Sequence, residues 1–87
     1  MTDTWLTELA HVQGVDALSD DEMESLLGLS REVAHRVERK VTPLAAFLLG
    51  MGVCRRLAAG DDRREALDRA SADLEALLPE GPTDPAG

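Results

Sequence analysis

The stretch 44–54 carries no charged side chain, and it determines the expected architecture. A helix that is apolar on every side has to be covered on every side. Thr42 is a suitable N-cap, Pro43 suits the first helical position, and Gly60 favours the left-handed conformation in which many helices end. The pattern therefore predicts a central apolar helix over about residues 43–59.

This central helix has a bulky and a small side. Large apolar side chains fall on one side at Leu44, Phe47, Leu48 and Met51. Small or short ones fall on nearly the opposite side at Ala46, Gly50 and Val53. We expect the bulky side to fill a core and the small side to let a neighbouring helix approach closely.

Two helices are predicted before it. The first spans about residues 4–13 and ends at Gly14, and its apolar stripe consists of Trp5, Leu6, Leu9 and Val12. Apolar residues in the following link, Val15 and Leu18, should hold it against the body of the domain.

The second predicted helix begins at a capping box formed by Ser19 and Glu22 and runs to about Glu38 or Arg39. Its apolar stripe consists of Met23, Leu26, Leu27, Ser30, Val33, Ala34 and Val37. Gly28 lies off this stripe, and an interior glycine costs about 1 kcal/mol relative to alanine. We therefore expect either a kink or a close approach at Gly28.

A fourth helix follows the cap residues Asp61 or Asp62 and stops at Pro79. Its stripe consists of Leu67, Ala70, Leu74, Leu77 and Leu78. The pattern thus predicts an all-α, compact four-helix domain over residues 1–78. The remaining tail, 79–87, is rich in Pro and Gly without apolar anchors, and we expect it to be disordered.

The composition predicts a thin core. The chain has 87 residues, with Trp5 and Phe47 as its only aromatic residues, so Leu, Val, Ala and Met must fill the interior. Such a core specifies a ligand pocket poorly, and we expect no cofactor. It favours dimerisation or docking onto a larger partner.

The net charge of −8 disfavours binding to nucleic acid and to anionic membranes. Cys54 is the single cysteine, which excludes an internal disulfide and suggests a small buried side chain in a reducing cytoplasm. The N-terminus lacks the pattern of a secretory signal, and the apolar run near Leu44 looks too short to span a bilayer. We expect a cytoplasmic protein without a membrane partner.

Charge is unevenly distributed along the chain. Residues 1–30 hold seven acids and no Lys or Arg, residues 31–60 hold six bases and two acids, and residues 61–87 hold three bases and eight acids. One interpretation is an anion site near the start of the central helix, formed by Arg31, Arg36, Arg39, Lys40, Arg55 and Arg56. We favour the other interpretation, in which acidic helices screen the basic segment through surface ion pairs.

Helical spacing places His35 beside Gly28, Arg31, Glu38 and Arg39, on the side of the second helix away from its stripe. This set is the predicted docking face, although we favour the simpler interpretation of an exposed histidine with ordinary helix ion pairs. His35 and Glu38 also have the i, i+3 spacing of half a carboxylate-bridged metal site, but no second helix supplies the other half. No motif for catalysis is present, and we predict neither a metal site nor an enzyme.

The segment 27–55 resembles the middle of a small actinobacterial family of unknown function. The matching positions are Leu29, Arg31, Val33, Ala34, His35, Val37, Glu38, Arg39, Pro43, Leu44, Phe47, Leu48, Leu49 and Gly50. Members of that family occur alone or fused to MobA-like nucleotidyltransferases of molybdopterin-guanine dinucleotide synthesis. The resemblance therefore implies a link to molybdenum-cofactor assembly, by association alone.

The sequence predicts a non-catalytic interaction module whose partner is a larger enzyme, in keeping with that resemblance. A second hypothesis is a binding protein for a small anion, such as a pterin or nucleotide, held by Arg31, Arg39, Lys40 and Arg55. A third is a self-assembling helical protein, such as a homodimer, in which the Ala46, Gly50 and Val53 side packs against a symmetry mate.

Overall fold

The computed structural model describes residues 2–80, with side chains from Thr4 onwards. This part of the chain folds into four helices without a strand, which confirms the all-α four-helix prediction. The helices are α1 (Thr2–Gln13), α2 (Asp20–Arg36), α3 (Thr42–Ala58) and α4 (Arg63–Leu77), and a 3₁₀ turn at Arg39–Val41 joins α2 to α3. Residues 81–87 of the predicted disordered tail lie outside the described residues.

Short-range signals place the helix ends largely as predicted. The Glu22 N–H donates to Ser19 Oγ at 3.1 Å, and the Ser19 N–H donates to Glu22 Oε1 at 2.8 Å, completing the capping box. Asp62 caps α4 by accepting the Glu65 N–H. Positive φ angles of 72° at Gly14 and 111° at Gly60 let the chain leave α1 and α3.

The junction of α2 and α3 differs from the prediction. Helix α2 ends at Arg36, and Glu38 is extended before the 3₁₀ turn. The Thr42 N–H then donates to the Arg39 carbonyl, so Val41 rather than Thr42 is the N-cap of α3. Because Glu38 is extended and Arg39 belongs to the 3₁₀ turn, α2 does not continue to Glu38 or Arg39 as predicted.

The core lies where α3 packs against α4 and α2. Leu29, Leu49, Leu67 and Ala70 form its buried cluster, flanked by half-buried Leu26, Val53 and Leu74. Helix α4 comes close to Gly52, where an added Cβ would lie 3.9 Å from the Ala70 Cβ, whereas a Cβ at Gly50 would meet nothing within 4 Å. The prediction for the small side is therefore wrong at Gly50, although Val53 of that side packs against the core.

Several expected core positions are exposed. Leu27, Val37 and Leu77 were predicted to lie on apolar stripes, but all three face solvent, and Leu29 takes the core position on α2 instead. Cys54 is exposed rather than buried. These four side chains are exposed because no neighbouring described helix covers the side on which each of them lies.

The molecule is too thin to surround α3. Its principal extents are 43 × 33 × 19 Å, and the shortest corresponds to about two helix diameters. Helix α3 is central in that it contacts α2, α4 and the 3₁₀ turn, but its bulky side stays exposed. The prediction that α3 is covered on every side is wrong, because two layers of helices leave its bulky side open.

By length and composition alone, one segment within residues 2–80, Arg39–Ala58, is long and apolar enough to cross a membrane. It has 20 residues, a mean hydropathy of 1.3, and 6% of its residues buried. The segment is longer than the apolar run considered from the sequence because it includes basic residues at both ends. Its uncharged part, residues 41–54, spans about 21 Å, against about 30 Å of bilayer hydrocarbon.

Candidate interaction surface

The bulky side of α3 forms an exposed surface, which we call the α3 apolar face. It consists of Leu44, Phe47, Leu48 and Met51, with exposed fractions of 63%, 69%, 67% and 57%. Full burial of such a side chain stabilises by about 1.5–3 kcal/mol, so each leaves roughly 1–2 kcal/mol unrealised in the single chain. Monomeric proteins rarely expose large contiguous apolar patches without a use for them. The face is therefore the leading candidate for an interaction surface.

Basic residues border both ends of this face. Arg55 follows Met51 by one helical turn, and Arg39 and Lys40 precede the helix. Lys40 Nζ lies 3.5 Å from Glu38 Oε2 in a pair that is open to solvent. Within residues 2–80, Arg39 and Arg55 have no carboxylate at ion-pair distance. A partner surface with acidic groups around an apolar centre would complement this arrangement.

Helix α1 carries a second exposed apolar surface, which we call the α1 stripe. It consists of Trp5, Leu9 and Val12, of which Trp5 is 61% and Val12 74% exposed. Helix α1 makes no extensive contact with the other described helices. Glu8 lies beside the stripe, and residues 1–30 contain no Lys or Arg. The α1 stripe is thus an apolar surface on an acidic helix.

An apolar groove runs between α2, α3 and α4 over the core. It has a volume of about 630 Å³ and is open to solvent, and its lining includes Leu26 and Val33 of α2, Gly50 and Cys54 of α3, and Leu74 of α4. Gly14 and Val15 line it as well, so the groove begins where α1 leaves the body of the domain. Ala46 and Gly50 of α3 therefore line this groove, whereas Gly52 lies close to α4.

A polar junction holds the base of α1. The Arg63 Nε donates to Glu22 Oε2 at 2.7 Å, and the Arg63 Nη1 donates to the Asp16 carbonyl at 2.9 Å. A longer bond from Nη2 reaches the Ala17 carbonyl. The link was expected to be held by Val15 and Leu18, but both are exposed and Arg63 holds it instead. Sequence reasoning missed Arg63 because it lies 41 residues from Glu22 and belongs to no local motif.

The same junction changes the acidity of Glu22. Burial raises the pKa of its carboxyl, but hydrogen bonds from the Ser19 N–H and the Arg63 guanidinium outweigh burial, and the pKa is lowered from its ordinary value. The fold therefore favours the ionised carboxylate of Glu22. The ion pair of Glu22 with Arg63 connects the N-terminal cap of α2 to the start of α4.

The predicted docking face is only partly continuous. Gly28, Arg31 and His35 share one side of α2, with Arg31 and His35 exposed. An added Cβ at Gly28 would meet nothing within 4 Å, so the described part of the chain shows no close approach there, and α2 continues through it. Glu38 and Arg39 lie beyond the end of α2 and do not extend its face.

The structure does not bring the predicted anion site together. Lys40 precedes α3, whereas Arg55 lies in its last turn, about 20 Å away along the helix. Placing Arg55 and Arg56 near the start of α3 was therefore wrong. Arg56 pairs with Asp73 of α4, as the screening interpretation expects, whereas Arg36 pairs with Glu32 of its own helix. Within residues 2–80, no group of three His, Cys, Asp or Glu residues is placed to hold a metal ion.

Comparison with known proteins identifies the family but no activity. A family model described as "Domain of unknown function (DUF6457)" matches residues 1–85, so the chain belongs to this family. This confirms the part of the resemblance that concerned a family of unknown function. The searches of curated proteins and of solved structures each gave no match. The fusion to MobA-like enzymes stays a prediction.

Proposed function

We propose that this member of the DUF6457 family is a non-catalytic helical interaction module that binds another protein surface through the α3 apolar face. One observation carries the proposal: four large side chains in consecutive turns of α3 stay more than half exposed. A soluble helix keeps such a stripe only when another surface covers it, because exposure forgoes burial free energy and promotes aggregation. That the module is non-catalytic is inferred from its sequence.

The polar residues predicted to dock have a supporting role in this proposal. Arg31 and His35 project from exposed positions on α2, and Glu38 and Arg39 belong to the α2–α3 junction. Polar groups at the rim of an interface set orientation and association rate more than affinity. We therefore assign the binding energy to the α3 apolar face and the selection of the partner to the polar residues, of which Glu38 and Arg39 lie just before α3.

The resemblance suggests a partner of one kind. A MobA-like nucleotidyltransferase of molybdopterin-guanine dinucleotide synthesis is the larger enzyme proposed on that ground, and the two proteins should co-elute when mixed. A Phe47→Glu variant should elute separately from the enzyme. Co-elution that is absent with wild type, or unchanged by Phe47→Glu, would remove this enzyme as a partner that binds through the face.

The proposal itself is tested by chemical cross-linking of the full chain in its native lysate. Wild type should form cross-linked protein adducts, whether with itself or with another protein, and Phe47→Glu should lose most of them because it places a charge at the centre of the face. Leu77→Glu is the matched control, since Leu77 is 85% exposed and lies on α4, away from the face. Equal adduct formation by wild type and Phe47→Glu would contradict the proposal.

A further inference from the structure

We infer that a second copy of this chain covers the α3 apolar face, with the α1 stripe of each copy packed on the α3 apolar face of the other. The inference rests on the proposed function and names the partner surface for it. Both surfaces are exposed in the single chain, and α1 makes no extensive contact with the other described helices. A twofold arrangement forms the same contact twice and leaves neither surface open.

The charged residues around the α3 apolar face favour α1 rather than α3 of a second copy as the helix that covers it. The α3 apolar face is bordered by Arg39 and Lys40 at one end and Arg55 at the other. Packing α3 of one copy on α3 of another would therefore place like charges together in either orientation. Helix α1 instead brings Glu8 beside its stripe and has neither Lys nor Arg. Opposite charges at the rim thus favour the α1 stripe.

The available area matches a specific dimer. Taking about 200 Å² for an aromatic and about 100 Å² for an aliphatic side chain, the two surfaces together expose roughly 550 Å² per chain. A standard interface buries about 800 Å² per partner, of which slightly more than half is apolar. The two surfaces together can therefore supply the apolar part of a stable interface.

The polar junction supports a second copy rather than the chain's own α1. Arg63 holds the Asp16 and Ala17 carbonyls at the start of α4, which fixes where α1 leaves the body of the domain. From this position α1 does not cover the α3 apolar face of its own chain. A second copy is present wherever the chain is. Because the buried core of one chain is small, association with that copy would add to its stability.

Sedimentation equilibrium of the full chain over a wide concentration range tests the stoichiometry. Wild type and the control Leu77→Glu should form dimers with similar dissociation constants. Phe47→Glu and Trp5→Ser should each raise that constant at least 100-fold, and circular dichroism should show whether each variant remains helical. Arg55→Glu should weaken the dimer about tenfold, because Arg55 faces an acidic helix. Stronger association of Arg55→Glu would contradict the inference.

Cysteine cross-linking in a Cys54→Ala background tests the contact without altering the apolar residues of either surface. A chain carrying Glu8→Cys, mixed with a longer tagged chain carrying Arg55→Cys, should form a disulfide between the two chains under oxidising conditions. Several results would overturn the inference: a dimer without this cross-link, a disulfide between two Arg55→Cys chains, or a disulfide within one highly diluted chain carrying both substitutions.

A monomer at every concentration would also overturn the inference. Whether that monomer cross-links to another protein or binds vesicles would then decide whether the proposed function holds. Cross-linking to a different protein that Phe47→Glu abolishes would leave the interaction module standing with a foreign partner. Binding to phosphatidylcholine vesicles that Phe47→Glu abolishes would assign the face to a membrane, and both proposals would fail. Both would also fail for a monomer that binds neither protein nor vesicle.

Discussion

The two sides of α3 have similar apolar composition but different surroundings. On the inward side Leu49 is buried and Gly52 lies close to Ala70 of α4. On the outward side Phe47 and Leu48 face solvent. On the side that packs, Gly52 gives α4 room to come close and Leu49 fills the core beside Leu67 and Ala70. The bulky side stays open in the single chain.

The largest expected effect comes from truncating neighbouring leucines on the two sides. Leu49→Ala should lower the free energy of unfolding by about 2–4 kcal/mol, because it leaves a cavity in the core. Leu48→Ala should lower it by less than about 1 kcal/mol, because its side chain is already largely exposed. Urea unfolding in a Phe47→Glu background measures both without a contribution from association. Equal losses of unfolding free energy in Leu49→Ala and Leu48→Ala would contradict the difference between the two sides of α3.

The polar junction should behave as part of the inward side. Arg63→Ala should lower the free energy of unfolding by about 1–3 kcal/mol, because it removes charge-assisted bonds to Glu22 and to the link. Arg64→Ala is the matched control, since its contacts with Asp21 and Asp68 are longer and largely exposed. We expect it to change stability by less than about 0.5 kcal/mol. If Arg63→Ala and Arg64→Ala lowered the stability measured by thermal unfolding equally, the polar junction would have no special role in stability.

The pH dependence of protein stability also tests the polar junction. Since the pKa of Glu22 is lowered on folding from its ordinary value of 4.5, its contribution to stability is present above that pH and is lost as the pH falls through the folded pKa. Glu22→Gln should therefore flatten the fall in melting temperature below about pH 4.5. Arg63→Ala should flatten it too, because it removes one source of the lowered pKa. An unchanged acid limb in Glu22→Gln would contradict the assignment.

Two glycine substitutions give the smallest expected effects and have opposite signs. Gly28→Ala should raise the free energy of unfolding by about 0.5–1 kcal/mol, because its Cβ meets open space within a helix. Gly60→Ala should lower it by about 1 kcal/mol, because Gly60 has a φ of 111°. Thermal melts in the monomeric Phe47→Glu background compare the two. A destabilising Gly28→Ala would indicate a close contact that α2 does not show.

Helix positions were predictable because their signals are local. The Ser19 capping box and Gly60 each act within a few residues, and they place the ends of α2 and α3. The inward side of α3 was not predictable, because a segment that is apolar all round does not indicate which side packs. The bond between Arg63 and Glu22 was equally inaccessible, because it joins residues far apart in sequence. The candidate docking residues Gly28, Arg31 and His35 were correctly grouped on one side of α2, whereas Glu38 and Arg39 were not.

The fluorescence of Trp5 tests the central claim most directly, because Trp5 is the only tryptophan and lies in the α1 stripe. In wild type at concentrations that favour the dimer, its emission should shift to the blue and acrylamide should quench it weakly. In the Phe47→Glu variant at the same concentration, it should be red-shifted and strongly quenched, because no second copy covers it. Identical quenching of Trp5 in the two proteins would contradict the claim that α1 of one copy covers α3 of the other.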